Sequence, residues 1–170
     1  MRLYEPSVLD QIVLALIGEK PRHGFAVSKE LETDPSLSAV IRARRPLVYR
    51  SINSLVDAKL IRETKTEPGD QGSPRVIYAT TATGKSTTTI WLNDTVDHPR
   101  DARIELLAKF VLRNRRNLTN QQLAKRQKKL FENQAAKLQV STNLATDDVR
   151  LVSLWRVETI NAMIRLLEAV

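Results

Sequence analysis

Apolar residues recur at helical spacing near the start of the chain. A stripe at positions i, i+3, i+4, i+7 and i+8 predicts an amphipathic helix, and its members are Leu9, Ile12, Val13, Leu16 and Ile17. Ser7 and Asp10 have the spacing of a capping box for the first turn. Gly18 follows the stripe and can end the helix.

A second, shorter helix is predicted over residues 25–32, buried through Phe25, Val27 and Leu31. Asp34-Pro35 should end it, because the residue before a proline disfavours the helical region.

The third helical segment, residues 46–59, is polar on one face. Pro46 suits the first helical position, where its missing N–H is not needed. The predicted buried face consists of Val48, Ile52, Leu55 and Val56. At about 100° per residue, the opposite face carries Arg50, Asn53 and Asp57, with Tyr49 at its edge. Three helices with tight connections, the last basic at its start, predict a helix-turn-helix.

After residue 61 the apolar period changes to two, which indicates strands. A strand starting at Arg62, a Gly- and Pro-rich loop over residues 67–74 and a return strand at residues 76–78 are expected. The loop is flanked by two cations, Lys65 and Arg75. This hairpin predicts the winged form of the helix-turn-helix, and a fold that is mainly α with a small β-wing.

The rest of the chain is expected to be helical. Thr81 can cap a fourth helix over residues 82–93, anchored through Ile90, Trp91 and Leu92. Residues 94–99 are the predicted domain linker. Residues 1–93 would then be the DNA-binding domain and residues 94–170 a helical dimerisation domain.

Two helices are predicted directly after the linker. The first begins near residue 100, and its apolar stripe is Ile104, Leu107, Ala108, Val111 and Leu112. The second is long and polar, runs to about residue 138, and has a narrow apolar seam of Leu123, Leu130, Ala135 and Leu138. A loop is expected at residues 141–146.

The last helix, which starts at residue 147, is apolar over more than one face. The candidate dimer contacts are Val149, Val152, Trp155, Ile160, Met163, Ile164 and Leu167, and further apolar residues are Leu151, Leu154 and Leu166. One face is enough for the chain's own second domain, so the surplus predicts a homodimer. The alternative is a helix deep inside a single small bundle.

Composition favours a polyanionic partner. Lys and Arg total 27 against 19 Asp and Glu, which gives a net charge of +8, and the isoelectric point is near 10.0. Such a balance points first to nucleic acid and second to an acidic membrane surface. The longest apolar run, residues 12–17, is too short to span a bilayer.

Several chemistries are disfavoured by the sequence. The absence of cysteine excludes disulfides and thiolate metal sites and fits a cytosolic location. His23 and His98 lack carboxylates at ligand spacing, so no metal or catalytic histidine is expected. Gly84-Lys-Ser86 resembles the end of a phosphate-binding loop, but Ala79 stands where the first glycine is required. No cofactor and no enzymatic activity are therefore expected.

A second basic stretch lies between Glu105 and Glu132, and it contains Lys109, Arg113, Arg115, Arg116, Lys125, Arg126, Lys128 and Lys129. One interpretation is a solvated polar face on two long helices. The other is a surface that flanks the DNA duplex and adds salt-sensitive affinity.

Four motifs of the first half form a linked pattern. Residues 14–25 read Leu-Ala-Leu-Ile-Gly-Glu-Lys-Pro-Arg-His-Gly-Phe, and residues 47–55 read Leu-Val-Tyr-Arg-Ser-Ile-Asn-Ser-Leu. Residues 59–61 read Lys-Leu-Ile, and residues 75–85 read Arg-Val-Ile-Tyr-Ala-Thr-Thr-Ala-Thr-Gly-Lys. Together they resemble the PadR family of bacterial transcriptional regulators. The departures from the family pattern include Phe25 for Tyr, Lys59 for Gly and Thr80 for Leu.

The resemblance implies a winged-helix transcription factor. The chain length and the helical residues 100–170 are similar to the longer, AphA-like branch, in which the C-terminal helices dimerise. Members of the family are mostly repressors, commonly of detoxification, drug-efflux or phenolic-acid genes, and a small effector or signal releases them from the operator. Trp91 and Trp155 are candidates for lining an effector site, with buried core as the alternative.

The function expected is sequence-specific binding of double-stranded DNA by a homodimer. The two copies of the helix at residues 46–59 would enter successive major grooves of an inverted repeat, with half-sites ~34 Å apart. Arg50 and Asn53 would read bases, since Arg can grip guanine and Asn can grip adenine through two hydrogen bonds. Phosphate contacts are expected from Arg44, Arg45, Tyr49 and Arg75, and Lys65 with the wing tip at residues 69–74 would lie along the backbone or minor groove. The alternative function is a winged-helix module that binds protein.

Overall fold

The computed structural model describes residues 4–69, 72–143 and 146–170. In its first part four helices are found where three were expected: α1 (Val8–Glu19), α2 (Gly24–Thr33), α3 (Pro35–Val40) and α4 (Arg45–Asp57). The capping box of α1 is confirmed, since the Asp10 amide donates to the Ser7 hydroxyl at 3.2 Å and the Ser7 amide donates to the Asp10 carboxylate at 2.9 Å.

Helix α3 was not predicted. Asp34-Pro35 ends α2 as expected, but the same pair starts the next helix. The Asp34 carboxylate accepts from the Ser36 amide at 2.9 Å and from the Leu37 amide at 3.1 Å. Proline at the first helical position needs no N–H partner, so a helix stop followed by a helix start costs little here.

Helix α1 is the centre of the first hydrophobic core. Every residue from 10 to 17 is buried, including those between the members of the predicted stripe. The reason is that α2, α4, α5 (Ala82–Asn93), α7 (Glu105–Asn114) and a strand pack around it. Its apolar pattern is therefore that of a fully enclosed helix rather than an amphipathic surface helix.

Three antiparallel strands form the sheet, in the order β1 (Arg22–His23), β3 (Gly72–Thr80) and β2 (Ile61–Gly69). Strand β1 was not predicted, and the strands of the wing extend further into the loop expected at residues 67–74. Residues 70 and 71 lie outside the described part. Pro68 and Pro74 are compatible with strands because β2 is an edge strand and β1 pairs with β3 only at residues 77 and 78.

Helix α5 begins and ends where the sequence predicted. Thr81 caps it by accepting from the Gly84 amide at 3.0 Å. Trp91 and Leu92 anchor the helix, but the expectation for Ile90 is wrong, because its side chain is 59% exposed. Helical spacing turns Gly84, Thr88, Trp91 and Leu92 inward together, which leaves Ile90 on the outer face.

The C-terminal part contains α6 (Pro99–Ala102), α7, α8 (Gln121–Asn143) and α9 (Asp147–Glu168). The single helix expected from residue 100 is split, and Ile104 at the break is partly exposed. Helix α8 continues past residue 138, so the loop is shorter than predicted, with residues 144 and 145 outside the described part. The predicted seam of α8 omitted Phe131 and Gln127, which are both fully buried.

Helix α7 connects two hydrophobic cores. Ala108 and Leu112 belong to the first core with α1, whereas Leu106 and Phe110 belong to the second core with α8 and α9. The predicted linker, residues 94–99, is attached to the second core, where Val96 is buried. The Gln127 side chain accepts from the Val96 amide at 2.6 Å and donates to the Val96 carbonyl at 2.8 Å. The division into two domains stays a prediction. Within the described ranges, none of the helices combines the length and apolar character needed to cross a bilayer.

Candidate nucleic-acid interface

Helix α4 buries one face and presents the other to solvent. Val48, Ile52 and Leu55 are fully buried, whereas Arg50 and Asn53 are exposed on the far side. Tyr49 lies at the edge with 41% of its surface exposed. The helix therefore presents a short row of hydrogen-bonding side chains supported by a rigid apolar base.

The start of α2 lies against α4 at very short range. A Cβ atom at Gly24 would come within 2.9 Å of both the Ile52 Cδ1 and the Tyr49 Cε1 atoms, so any larger residue there would displace these two side chains of α4. His23 caps α2, because its Nδ1 atom accepts from the Ala26 amide at 3.0 Å. His23 thus caps α2, and Gly24 allows the first turn of α2 to lie close to Tyr49 and Ile52 of α4.

The segment before α4 is basic and open. Arg42, Arg44 and Arg45 are all exposed at the N-terminal end of α4, where the helix dipole also favours an anion. The Arg45 guanidinium lies 4.7 Å from the centre of the Phe25 ring. Phe25 was expected to be buried, and this expectation is wrong. Val27 and Leu31, at i and i+4, form the inner face of α2 and leave Phe25 outside.

The wing carries its cations around a carboxylate. Lys65 pairs with Glu67 at 2.6 Å, and Arg75 lies opposite Glu67 in the β2–β3 register. The hydrogen bond and the charge of Lys65 lower the pKa of Glu67. A groove between α2 and the wing is lined by His23, Arg62 and Lys65 among others. Both cation-bearing elements, α4 and the wing, thus belong to the same part of the molecule.

Part of the basic stretch of the second half has a role that neither interpretation above included. Lys109 and Arg113 are buried, with 1% and 6% of their surface exposed. Lys109 Nζ donates to the Asp94 carbonyl at 2.9 Å, and Arg113 Nη1 donates to the Leu92 carbonyl at 3.1 Å. These cations complete the carbonyl end of α5, where positive charge is favoured.

Arg115 and Arg116 attach α7 to the other side of the winged helix. The Arg115 guanidinium bonds Glu19 at the end of α1, and Arg116 Nη2 donates to the Ala15 carbonyl at 2.8 Å. Arg126, although exposed, also bonds the Asn93 carbonyl at the end of α5. Five of the eight cations therefore hold the two halves together, while Lys128 pairs with Glu132 and Glu168, and Lys125 and Lys129 are exposed. The sequence does not distinguish the cations that bond the winged helix from the exposed ones, because the partners of the bonded cations are far away along the chain.

The candidate dimer contacts on α9 fall into two groups. Ile160 and Leu167 are buried in the chain's own second core, and Met163 and Ile164 pack against that core. Val149, Val152 and Trp155 are exposed, and so are Leu151 and Leu154. The N-terminal half of α9 thus presents an apolar surface to solvent.

The described residues contain no cluster of three or more His, Asp or Glu side chains that could hold a metal ion. Trp91 is core, with its indole N–H donating to Glu105 at 3.0 Å. Trp155 instead lines a cavity of about 640 Å³ between α6, α8 and α9.

A compact set of helices whose last member exposes polar side chains beside an antiparallel hairpin defines the winged-helix class of DNA-binding folds. Residues 13–89 match the model of the Transcriptional regulator PadR-like family. The winged-helix part of the chain is therefore similar to the PadR-like family, and the recognition made from its motifs is confirmed. No protein among the curated sequences matches the chain.

Solved structures of PadR regulators are similar along the whole chain. The crystal structure of Bacillus subtilis PadR in complex with operator DNA is 19% identical, with a TM-score of 0.51 and 96% of each chain covered. A second structure of Bacillus subtilis PadR is 17% identical, with a TM-score of 0.45 and coverage of 99% and 96%. The Vibrio cholerae virulence activator AphA is 13% identical, with a TM-score of 0.40 and coverage of 95% and 90%. The first match confirms the fold class, a mainly α winged helix followed by helices, and the other two scores do not bear on the branch of the family.

Proposed function

We propose that the chain is a sequence-specific DNA-binding transcription regulator that represses its targets as a homodimer in the cytoplasm. The observation that carries this proposal is the exposed polar face of α4, with the basic segment before it and the cationic wing beside it. A regulator of similar fold, Bacillus subtilis PadR, has been crystallised with operator DNA.

Each side chain has a defined role in this proposal. Arg50 and Asn53 point away from the buried face and would form hydrogen bonds with base edges in the major groove. Contacts that position the protein on phosphates come from Arg44, Arg45, Tyr49 and Arg75. Lys65 exchanges Glu67 for a phosphate oxygen when the wing meets the backbone, so part of the binding energy replaces an existing ion pair.

Homodimerisation is supported by the exposed half of α9. Trp155 is 69% exposed and Leu151 is 72% exposed, and exposed apolar surfaces of this kind mark interaction sites. A second copy of the chain would cover this surface and present two α4 helices to an inverted repeat, with half-sites ~34 Å apart. Repression then follows from steric competition with polymerase.

Release by a small effector is supported by the cavity next to α9. Its lining includes the apolar side chains of Leu138, Trp155 and Ile160 and the cations Arg100 and Arg156. A ligand there would contact the linker, α8 and the exposed half of α9 together. It could therefore favour one dimer arrangement over another.

The test of DNA reading begins with duplexes selected by the wild-type protein from a random pool. Arg50→Ala should cost about 1–3 kcal/mol on the selected duplex and leave binding to mixed genomic DNA nearly unchanged. Arg103→Ala is the matched control, because Arg103 is an exposed arginine at the end of α6.

Two outcomes would revise the proposal. Equal losses on selected and genomic DNA would make Arg50 a phosphate contact. If the wild-type protein selects no duplex and its DNA binding does not fall steeply with added salt, the winged helix is a protein-binding module.

A further inference from the structure

Five charged side chains meet where α7 passes the helix-turn-helix. Arg115 is the C-cap residue of α7, Arg22 is on β1, and the anions are Glu19, Glu30 and Asp34. Arg22 is 5% exposed, and the other four side chains are between 16% and 24% exposed. The cluster is thus shielded from solvent far more than an ordinary surface ion pair.

Arg115 is the only member of this cluster that comes from the C-terminal helices, and its fork meets three carboxylates. Its Nε and Nη2 atoms bond the two Glu19 oxygens at 2.8 Å and 2.7 Å, and Nη1 bonds Asp34 Oδ2 at 2.7 Å. Nη2 also pairs with Glu30. The planar fork of arginine can satisfy this arrangement, whereas the point charge of lysine cannot.

The three carboxylates belong to three different helices of the reading head, which is the unit formed by α1 to α4. Glu19 ends α1, Glu30 is in the last turns of α2, and Asp34 caps α3. Arg22 of β1 also pairs with Glu19 and Glu30, so these two carboxylates are shared by both arginines. Arg115 therefore bonds the reading head as a whole rather than one of its helices.

Helix α7 is fixed to the winged helix at more than one place. Its apolar side packs in the first core, Lys109 and Arg113 bond the carbonyl end of α5, and Arg116 bonds α1. Arg115 differs from these contacts because it bonds α1, α2 and α3 together at the C-terminal end of α7. The core and the α5 contacts position α7, and the Arg115 contact at its end constrains the angle of α7 against the reading head.

We propose that Arg115 is a positioning residue that sets the angle between each reading head and the C-terminal helices, and through it the spacing between half-sites that the homodimer accepts. The proposal rests on the homodimeric DNA-binding function proposed above. Moving one half-site by two base pairs displaces it by about 7 Å and rotates it by about 70° around the duplex. A head with a fixed angle cannot follow that movement, and a loosened head can.

The experiment compares spacing tolerance in variants that keep the DNA-contacting face. The probe is the inverted repeat selected by the wild-type protein, together with forms carrying two inserted or two deleted base pairs between the half-sites, and a single half-site. For the wild-type protein, the altered spacing should weaken binding at least about tenfold. For Arg115→Gln the same change should weaken binding less than about threefold, with half-site affinity within about twofold of wild type.

Asp34→Asn is the second variant, and it decides the matter if Arg115→Gln fails to fold. Asparagine keeps the oxygen that caps α3 and removes the charge that Arg115 binds, so its spacing tolerance should lie between the two. Arg103→Gln, at an exposed arginine outside the cluster, should keep the wild-type discrimination.

The outcomes separate this inference from the function on which it rests. If wild type discriminates between spacings and the folded cluster variants discriminate equally well, Arg115 only stabilises the fold and the inference is overturned. If the wild-type protein binds the inverted repeat no more tightly than the single half-site, the homodimeric function is wrong and the inference falls with it. If it binds the repeat more tightly but equally well at every spacing, the reading head has no fixed angle and the inference alone is overturned. A purely structural role would change thermal stability but not the ratio of affinities between spacings.

Discussion

At the residue scale, the junction between the end of α4, the end of the wing and the start of α5 depends on three small features. Lys59 adopts a positive φ of 58°, which turns the chain sharply after α4. The Thr81 hydroxyl bonds the Lys59 and Leu60 carbonyls at 2.9 Å and 3.1 Å and also caps α5. Gly84 then packs directly on the Leu60 carbonyl.

Gly84→Ala is predicted to destabilise the protein severely. The added Cβ atom would overlap the Leu60 carbonyl oxygen, which is backbone and cannot rotate away. We expect the free energy of unfolding to fall by about 3 kcal/mol, measured as a lower urea midpoint at an unchanged dependence on denaturant.

Gly18→Ala is the control for that substitution. Gly18 lies in α1, and the nearest atoms to a new Cβ, Arg116 Nη2 and Thr80 Cγ2, are at 3.4 Å and 3.6 Å. Alanine should therefore be neutral or raise stability by about 0.5–1 kcal/mol. Equal and small effects at both glycines would show that the Leu60 contact is not tight.

Residues whose partners are close in sequence could be predicted, and those with distant partners could not. The capping box of α1 and the Thr81 cap depend on neighbours three residues away, so their spacing is visible in the chain. Arg115 bonds Glu19 across 96 positions, and nothing around Arg115 distinguishes it from an exposed arginine. Its role depends on how the helices pack.

At the element scale, Asp10 connects the first turn of α1 to the segment before it, through Tyr4 and Ser7, and to α4, through Ser51. Burial acts to raise the pKa of Asp10, but hydrogen bonds involving Ser51 of α4, Ser7 and Tyr4 outweigh it, and the pKa is lowered. A carboxyl group whose pKa is lower in the folded protein stabilises the fold above its unfolded pKa. That contribution is lost as the pH falls through the folded pKa.

Asp10→Asn is predicted to make stability less sensitive to acid. Near neutral pH the variant should be less stable by about 1 kcal/mol, because a charged capping group is lost. Between pH 5 and pH 2, roughly, wild type should lose more of its free energy of unfolding than the variant does. Urea unfolding at a series of pH values measures both slopes, and parallel curves would contradict the assignment. Asp57→Asn, at an exposed carboxylate outside the capping box, should leave the wild-type slope unchanged.

Elements were predicted best where a strong start or stop signal was isolated. Helix α5 has the predicted bounds because Thr81 opens it and a polar segment closes it. Helix α3 was missed because Asp34-Pro35 signals a stop and a start at once, and six residues give too little periodicity to read. Strand β1 was missed because two residues show no alternation.

At the scale of the whole molecule, α7 makes the winged helix and the C-terminal helices mechanically continuous. It contributes to both hydrophobic cores, and cations on it and directly after it bond the end of α5 and three helices of the reading head. Packed side chains and ion pairs therefore form a continuous set of contacts from α8 and α9 to the reading head. The sequence alone predicted a domain linker at residues 94–99, because the chain becomes wholly helical after it. The contacts that hold this segment could not be predicted, since Gln127 is 31 positions from Val96.

The exposed half of α9 is predicted to be necessary for the dimer. Leu151→Glu combined with Trp155→Lys replaces two exposed apolar side chains and places opposite charges at i and i+4, which favours the helix. We expect monomers by light scattering at concentrations where wild type is dimeric, with unchanged helix content by circular dichroism. Gln122→Glu, on an exposed part of α8, should remain dimeric.

Ile160→Ala separates the two groups of candidate contacts. Because Ile160 belongs to the chain's own core, its truncation should lower the free energy of unfolding by about 2–5 kcal/mol without favouring monomers in the folded protein. A dimer that persists in the double variant with intact helix content would place the interface elsewhere. Dissociation caused by Ile160→Ala alone, with the fold intact, would mean instead that α9 opens to exchange its buried face with a second copy.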